Sequence, residues 1–318
     1  MSVNSVILEH FESAKIKEAL MKKILFSVLS LLFLISHSYA DERGVNPEFK
    51  SSEKEDSSKE GYETKVVESR RQKDSEKIGS YNQPVWTAKR RFPTTRVYLL
   101  PENKVEVEYW LLMEGNLEDN TDPKYTSMYE IEFGLGHRLM SDFYFKTVQN
   151  GSSAPIEVLA QSIELRYAFF DWGRFFGNPT VYLEWIRQSS KPQKGEFKLL
   201  LGDEITDRLF WGANLIFERE FGGKSGNEYG LSAGIAYSVI DGVFSTGLEA
   251  KVVGEDNQTD RLNLLEKKFL IGPSLLYKPV PAANLIFTPL FGYKIENEDG
   301  EEEGEGVYAI YFIIGVDL

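Results

Sequence analysis

The chain has 318 residues, no cysteine, 42% hydrophobic residues and a formal net charge of −13. Without Cys there can be no disulfide framework, Cys-ligated zinc, iron–sulfur cluster or thiol catalysis. The acidic balance also works against nucleic acid, whose phosphates it would repel.

The first element is an apolar run of twelve residues, 24–35. A membrane-spanning helix needs about 20. Met21-Lys22-Lys23 precedes the run, and Ser38-Tyr39-Ala40 then Asp41 follow it. A basic start, a short apolar stretch and small residues at −3 and −1 predict a secretory signal peptide over 21–40, cleaved after Ala40. Met21 stands where such a signal begins, so residues 1–20 read as a dispensable leader or a misassigned start. Removing residues 1–40 takes away four Lys and three Glu, which moves the net charge from −13 to −14.

Residues 41–91 follow as a charged segment on the periplasmic side. Of the 40 residues in 41–80, 20 are charged. Such a stretch buries too little apolar surface to offset its ordering entropy, so it is predicted to be disordered. It would serve as a solvated linker or as an arm for a partner.

From residue 92 to the end the dominant signal is alternation of period two, which puts every second side chain on one face of a strand. Val105, Val107, Tyr109, Leu111 and Met113 alternate with Glu106, Glu108 and Glu114. Tyr129, Ile131, Phe133 and Leu135 alternate with Glu130 and Glu132, and Ile163, Leu165 and Tyr167 with Glu164 and Arg166. Val181, Leu183 and Trp185 flank Glu184, and two further clean strands, 229–239 and 244–252, meet at an Asp241-Gly242 turn. Noisier segments at 142–148, 197–202, 209–220, 269–278, 285–295 and 307–318 bring the count to twelve. Pro273 and Pro289 fall in two of them and predict bulges, since neither can donate to a ladder.

A soluble sandwich and a membrane barrel both alternate in this way. The signal peptide, the Gly-, Ser- and Glu-rich second face and the alternation of long and short connections favour an all-β, antiparallel, up-and-down barrel of about twelve strands. The strand 307–318 alternates through to Leu318. In these features residues 92–318 resemble bacterial outer-membrane β-barrel channels of the twelve-strand size. The stretch 272–279 (Gly-Pro-Ser-Leu-Leu-Tyr-Lys-Pro) is similar to a strand and turn in outer-membrane proteins linked to aromatic-compound uptake. The resemblance implies an outer-membrane location, lipid and lipopolysaccharide neighbours, and recognition by the barrel-assembly machinery through the last strand. That strand ends here in Leu318, where the family pattern has an aromatic residue.

The candidate functional residues are the charged ones on the lumen face. Glu106 and Glu108 should stand near Glu130 and Glu132. Lys146, Glu164, Arg166, Glu184 and Glu249 continue the wall, and Lys198, Lys251 and Lys294 supply positive groups opposite. These would form a constriction with a transverse field, or salt bridges that fill a narrow barrel. Lumen-side Leu200, Ile216, Leu270, Ile286 and Leu290 would narrow it further. The acids of 296–305 are read as a solvated outer loop or a weak divalent-cation bridge to lipopolysaccharide. His137, the one histidine after residue 40, reads as an interfacial turn residue. No catalytic, metal or cofactor constellation is expected. The expected function is a channel or facilitated transporter for small solutes. The alternatives are a structural or surface-interaction barrel and, more remotely, an outer-membrane hydrolase.

Overall fold

The period-two alternation becomes twelve antiparallel strands in the computed structural model, which describes residues 72–118, 122–222, 226–256, 264–298 and 301–318. The expected leader, the signal peptide and residues 41–71 of the charged segment lie outside the described residues. A two-residue ribbon opens the described chain: β1 (Lys77–Ile78) pairs with β2 (Gln83–Pro84), and a 3-10 turn (Val85–Ala88) follows.

The barrel strands are β3 (Val105–Asn116), β4 (Lys124–Gly136), β5 (Leu139–Asn150), β6 (Glu157–Ala168), β7 (Thr180–Gln188) and β8 (Gln193–Thr206). They continue as β9 (Leu209–Phe221), β10 (Asn227–Ile240), β11 (Phe244–Asp256), β12 (Leu264–Val280), β13 (Ala283–Glu298) and β14 (Glu301–Asp317). Each pairs with its sequence neighbours, and β14 pairs with β3 to close the barrel. Closure leaves no unpaired edge, as a strand in hydrocarbon requires.

Side-chain direction separates two environments. Tyr129, Ile131, Phe143, Ile163, Leu183, Leu215, Leu231, Leu248 and Phe269 point outward and are exposed. Their cross-strand or next-in-line neighbours Glu130, Glu132, Asp142, Glu164 and Glu249 point inward and are fully buried. An apolar exterior around a polar interior is the surface of a transmembrane barrel of the outer-membrane type. The ends differ as well. Tight turns at 137–138, 207–208, 241–243 and 281–282 mark the inner, periplasmic end. The turn His137-Arg138 has positive φ at both residues (51° and 62°), the geometry that matches strand twist in a two-residue hairpin. His137 is exposed there.

Two expectations are corrected. The charged segment was expected to be disordered through residue 91, with the barrel starting at 92. Instead residues 73–100 fold into the lumen, and Trp86, Arg90, Arg91, Phe92 and Tyr98 are all buried. For residues 72–91 the expectation fails because the apolar surface and counter-charges this stretch needs are supplied by the barrel wall. The acid-rich stretch 296–306, expected as a loop, is largely strand, with β13 and β14 paired out to Glu298↔Glu301. Charge does not break a strand whose inner face looks onto water.

Pro273 is exposed on β12 and Pro289 half-buried on β13. Between these strands the ladder runs to Ile271↔Phe291 and resumes in the same register at Leu275↔Phe287, so the two prolines interrupt the pairing together without the bulges expected from the sequence.

Candidate functional site

The lumen is a charged wall with a folded segment seated in it. The wall's geometry comes from register. Glu106 on β3 stands directly opposite Glu132 on β4, which stands opposite Asp142 on β5. The row continues through Glu164 on β6, Glu184 on β7 and Glu196 on β8. From there it runs through Glu218 on β9, Glu228 on β10 and Glu255 on β11. It ends with Glu266 on β12, Glu296 on β13 and Glu303 on β14. Every barrel strand thus contributes one carboxylate residue to a single row of cross-strand neighbours.

The row is a spiral. Glu106 pairs across the closure with Asp317, whereas the row arrives on that same strand at Glu303, fourteen residues away (317 − 303). That offset is the shear of the barrel, and for twelve strands it corresponds to a strand tilt of about 40°. With strands about 4.8 Å apart, the row climbs roughly 35 Å, from the inner end to the mouth. Burial falls along it: Glu106, Glu132, Asp142 and Glu164 have 0% exposure and Glu184 has 7%. Glu196, Glu218 and Glu228 are half-buried, and Glu255 and Glu303 exposed.

Like charges directly opposite one another are destabilising, so the row needs counter-charges. Arg166 donates to Asp142 at 2.6 Å and is also paired with Glu164, whose Oε2 accepts from the Tyr144 hydroxyl at 2.5 Å. Lys146 lies 3.5 Å from Glu184, and Lys198, Lys194 and Lys294 lie 2.8, 2.6 and 2.6 Å from Glu196, Glu218 and Glu296. Glu228, Glu255, Glu266 and Glu303 have no basic partner within 4 Å among the described residues.

The lowest steps are matched by the inserted segment. Lys89 Nζ donates to Glu106 at 3.0 Å and to Asp317. Arg90 donates through Nε to Glu108 at 2.8 Å and through Nη2 to Glu130 and Glu132, each at 3.1 Å. Arg96 donates to Glu132 as well. The oxygens of Glu108, Glu130 and Glu132 come within 4.8 Å of one another, close enough for a metal ion. The Arg90 guanidinium already supplies the positive charge there, and its Cζ lies 4.3 Å over the Trp110 ring. Burial disfavours a charged Arg90, but the three glutamates outweigh it and hold the guanidinium well above the usual range.

A second clasp holds the segment's start. Asp74 is ion-paired with Arg91 at 2.8 Å, accepts from Lys278 at 3.0 Å and from Ser238, and its own N–H donates to Asp241 at 2.7 Å. Burial pushes the Asp74 carboxyl up, but Arg91 and Lys278 overcome this and hold it well below the usual carboxylate range. Glu249 accepts from the Thr94 N–H at 3.0 Å and from its hydroxyl at 2.8 Å.

Apolar packing completes the seat. Trp86 stacks on Phe210 (centroids 4.8 Å apart) and meets Trp172 edge-on at 5.6 Å. Tyr98 meets the same Trp172 at 5.2 Å. Trp172 sits in the eleven-residue link 169–179, and its backbone N–H donates to the Tyr81 carbonyl at 3.0 Å. Lumen glycines make the room: a Cβ at Gly234 would fall 2.7 Å from the Phe92 ring, and one at Gly212 2.8 Å from Val97 Cγ2. The small inner face read from the sequence as lumen-like is therefore the socket of this segment.

Two cavities flank the segment and share no lining residue. The outer one, about 330 Å³, is floored by Arg90, Pro93, Thr94 and Arg96 and walled by Tyr144, Tyr182 and consecutive row members Glu184 to Glu228. The inner one, about 380 Å³, opens among Val85, Lys89, Lys278, Asp317 and Leu318.

Glu106, Glu132, Glu164 and Glu184 lie on the row. Glu108, Glu130, Arg166, Lys146, Lys198 and Lys294 flank it, and Lys251 lines the outer cavity. Glu249 faces the inserted segment. Leu200, Ile216, Leu270, Ile286 and Leu290 are buried inside the barrel. Sequence reasoning missed Asp142, Glu196, Glu218, Glu228, Glu255 and Glu266 as members of one row, and missed Asp74, Lys89, Arg90, Arg91 and Arg96 altogether. A signal for the latter existed: Lys89-Arg90-Arg91-Phe92 is basic and aromatic, directly ahead of an acidic strand.

No protein-family model matches the sequence, and no curated protein does. Among solved structures, an outer membrane channel from Pseudomonas putida F1 is 10% identical with a TM-score of 0.46, over 70% of this chain and 97% of that one. The NanC porin is 13% identical (TM-score 0.42, 65% of this chain and 98% of that one). The KdgM porin, solved in complex with disordered oligogalacturonate, is 11% identical (TM-score 0.42, 66% and 98%).

Proposed function

We propose that the protein is an outer-membrane channel that passes small solutes through its charged lumen, and that residues 73–100 form its closing element. One observation carries this reading. The lumen holds water-compatible cavities of about 330 and 380 Å³ on either side of a segment that hydrogen-bonds and ion-pairs to the wall without belonging to its ladder. A barrel of twelve strands lies between small barrels filled by their own side chains and open 16-strand porins. Here the filling is a separate piece of chain, so the interior can be vacated without breaking a strand.

The packing of Trp86, Tyr98, Leu99, Leu100, Met140, Trp172 and Phe210 supports a second reading, a permanently plugged structural barrel. Planar-bilayer recording separates the two. Discrete conductance steps from the folded full chain, with an uptake defect in a deletion strain, support the channel. A silent barrel and unchanged uptake support the structural reading. His137, exposed in a turn at the inner end, gives no support to a hydrolase.

A further inference from the structure

Twelve carboxylates, one per strand, ascend the lumen in unbroken register, and such a row has a consequence for what passes along it. We propose that the row is the conduction path for organic cations, small solutes bearing a guanidinium or primary ammonium group, which move by exchanging one carboxylate for the next. The proposal rests on the channel reading and names its substrate class.

Acidic side chains alone would not carry this, because exposed acids are ordinarily just solvated. A second observation points to the ligand. The lowest steps already hold cationic groups from a segment outside the wall: the Lys89 ammonium on Glu106 at 3.0 Å, and the Arg90 guanidinium on Glu132 at 3.1 Å. These are tethered stand-ins for the solute. Buried wall oxygens also remain without a hydrogen bond, among them Glu106 Oε2, Glu132 Oε2 and Asp142 Oδ1. They are acceptors that a donor-rich cation would satisfy.

The aromatic groups of the lumen fit the same chemistry. Arg90 lies over Trp110, and Lys198 lies 4.1 Å from the Tyr182 ring centre, so cations are held on ring faces beside the row. The outer cavity is walled by four consecutive steps, Glu184, Glu196, Glu218 and Glu228. Its lysines are committed in part: Lys146 and Lys198 are paired with Glu184 and Glu196. Toward the mouth, Glu228, Glu255 and Glu266 are three adjacent steps with no basic group within 4 Å among the described residues, Lys194 and Lys294 acting on them only from farther away, and an entering cation would be gathered there. A fixed ring of carboxylates is a recognised source of cation selectivity. The shear here stretches that ring into a stair, which lets binding at any one step stay weak enough to release.

The test uses the folded full chain and the variant Glu228→Gln/Glu255→Gln/Glu266→Gln, which alters exposed or half-buried positions and should leave the barrel intact, as heat-modifiable migration would verify. In planar bilayers with a gradient of guanidinium chloride, wild type should favour the cation over chloride at least about fivefold, and the variant should fall below about twofold. Conductance with no cation preference, or a preference unchanged in the variant, overturns the inference and leaves the channel reading standing. Agmatine binding to the protein in detergent, by isothermal titration, reads the row without conduction. Binding weakened at least about fivefold in the variant supports the path even in a silent bilayer, and equal binding overturns it.

Discussion

Replacing Arg90 by alanine should unseat the inserted segment while leaving the barrel closed. Arg90 is buried and bridges Glu108, Glu130 and Glu132 at 2.8 to 3.1 Å. Its loss leaves Glu108 and Glu130 in the wall without that cation, whereas Glu132 keeps Arg96. Breaking one side of a buried ion pair costs about 3–5 kcal/mol. At about 1.4 kcal/mol per factor of ten, the docked-to-undocked equilibrium of the segment should shift by roughly two to four powers of ten. The strand ladders do not pass through Arg90, so the unboiled protein should still migrate as a folded barrel. Limited proteolysis would read the undocking as rapid cleavage between residues 73 and 100. Arg90→Lys should rescue only in part, because one ammonium cannot bridge three carboxylates as a planar guanidinium does. Adding Glu108→Gln and Glu130→Gln to the alanine variant should restore protection by removing the stranded charges. Protease resistance equal to wild type in Arg90→Ala would refute the reasoning.

Three further outcomes follow from the same contacts. Gly234→Ala places a Cβ 2.7 Å from the Phe92 ring; overpacking of this kind costs about 1–3 kcal/mol, so cleavage of the segment should accelerate, and Phe92→Leu in the same chain should recover part of the protection. The contributions of Asp74 and Lys89 to docking should each stay constant between about pH 5 and 9. Asp74 is held below its ordinary 3.8, so its contribution is present above that value and lost only as pH falls through its lower native one. For Lys89, burial lowers the ammonium but Glu106 and Asp317 raise it above its ordinary 10.5, so its contribution is present below that value and lost only at higher pH. Asp74→Asn should weaken docking across this whole range, and protease protection measured from pH 4 to 10 would show it. His137→Ala should change neither conductance nor folding, since the residue is exposed in a turn.

What could be read from the sequence was whatever period two encodes. All twelve strands and their inward faces follow from alternation, because a one-residue slip would turn Glu130 and Glu132 into lipid. The pairing of Glu106 and Glu108 with Glu130 and Glu132 was legible too, since consecutive strands of an up-and-down barrel are antiparallel neighbours. The full row was not. Whether Glu184 meets Glu196, or Glu255 meets Glu266, depends on the shear, which is set by closure of the whole sheet and by bulges such as that between Lys146 and Thr147. The inserted segment was the largest gap. Residues 73–100 have neither a helical nor a strand period, and their order comes from a socket built by glycines and acids one hundred or more residues away, as in Phe92 against Gly234 and Thr94 against Glu249. The tension of four adjacent acids, evident in the sequence, pointed to missing cations. Two of them, Lys89 and Arg90, stand seventeen and sixteen residues ahead of Glu106, in the segment expected to be disordered.

The central claim, that residues 73–100 close a conducting lumen, can be tested with one disulfide. The chain has no cysteine, so Val97→Cys/Gly212→Cys introduces a single pair. The sulfur would take the place of Val97 Cγ2, which lies 2.8 Å from the Cβ position of residue 212, a spacing that suits a disulfide to the wall. In single-channel recording the oxidised protein should be non-conducting, and adding a reductant to the same bilayer should restore openings at the wild-type level. Equal conductance before and after reduction, with the crosslink verified by mass spectrometry, would contradict the account.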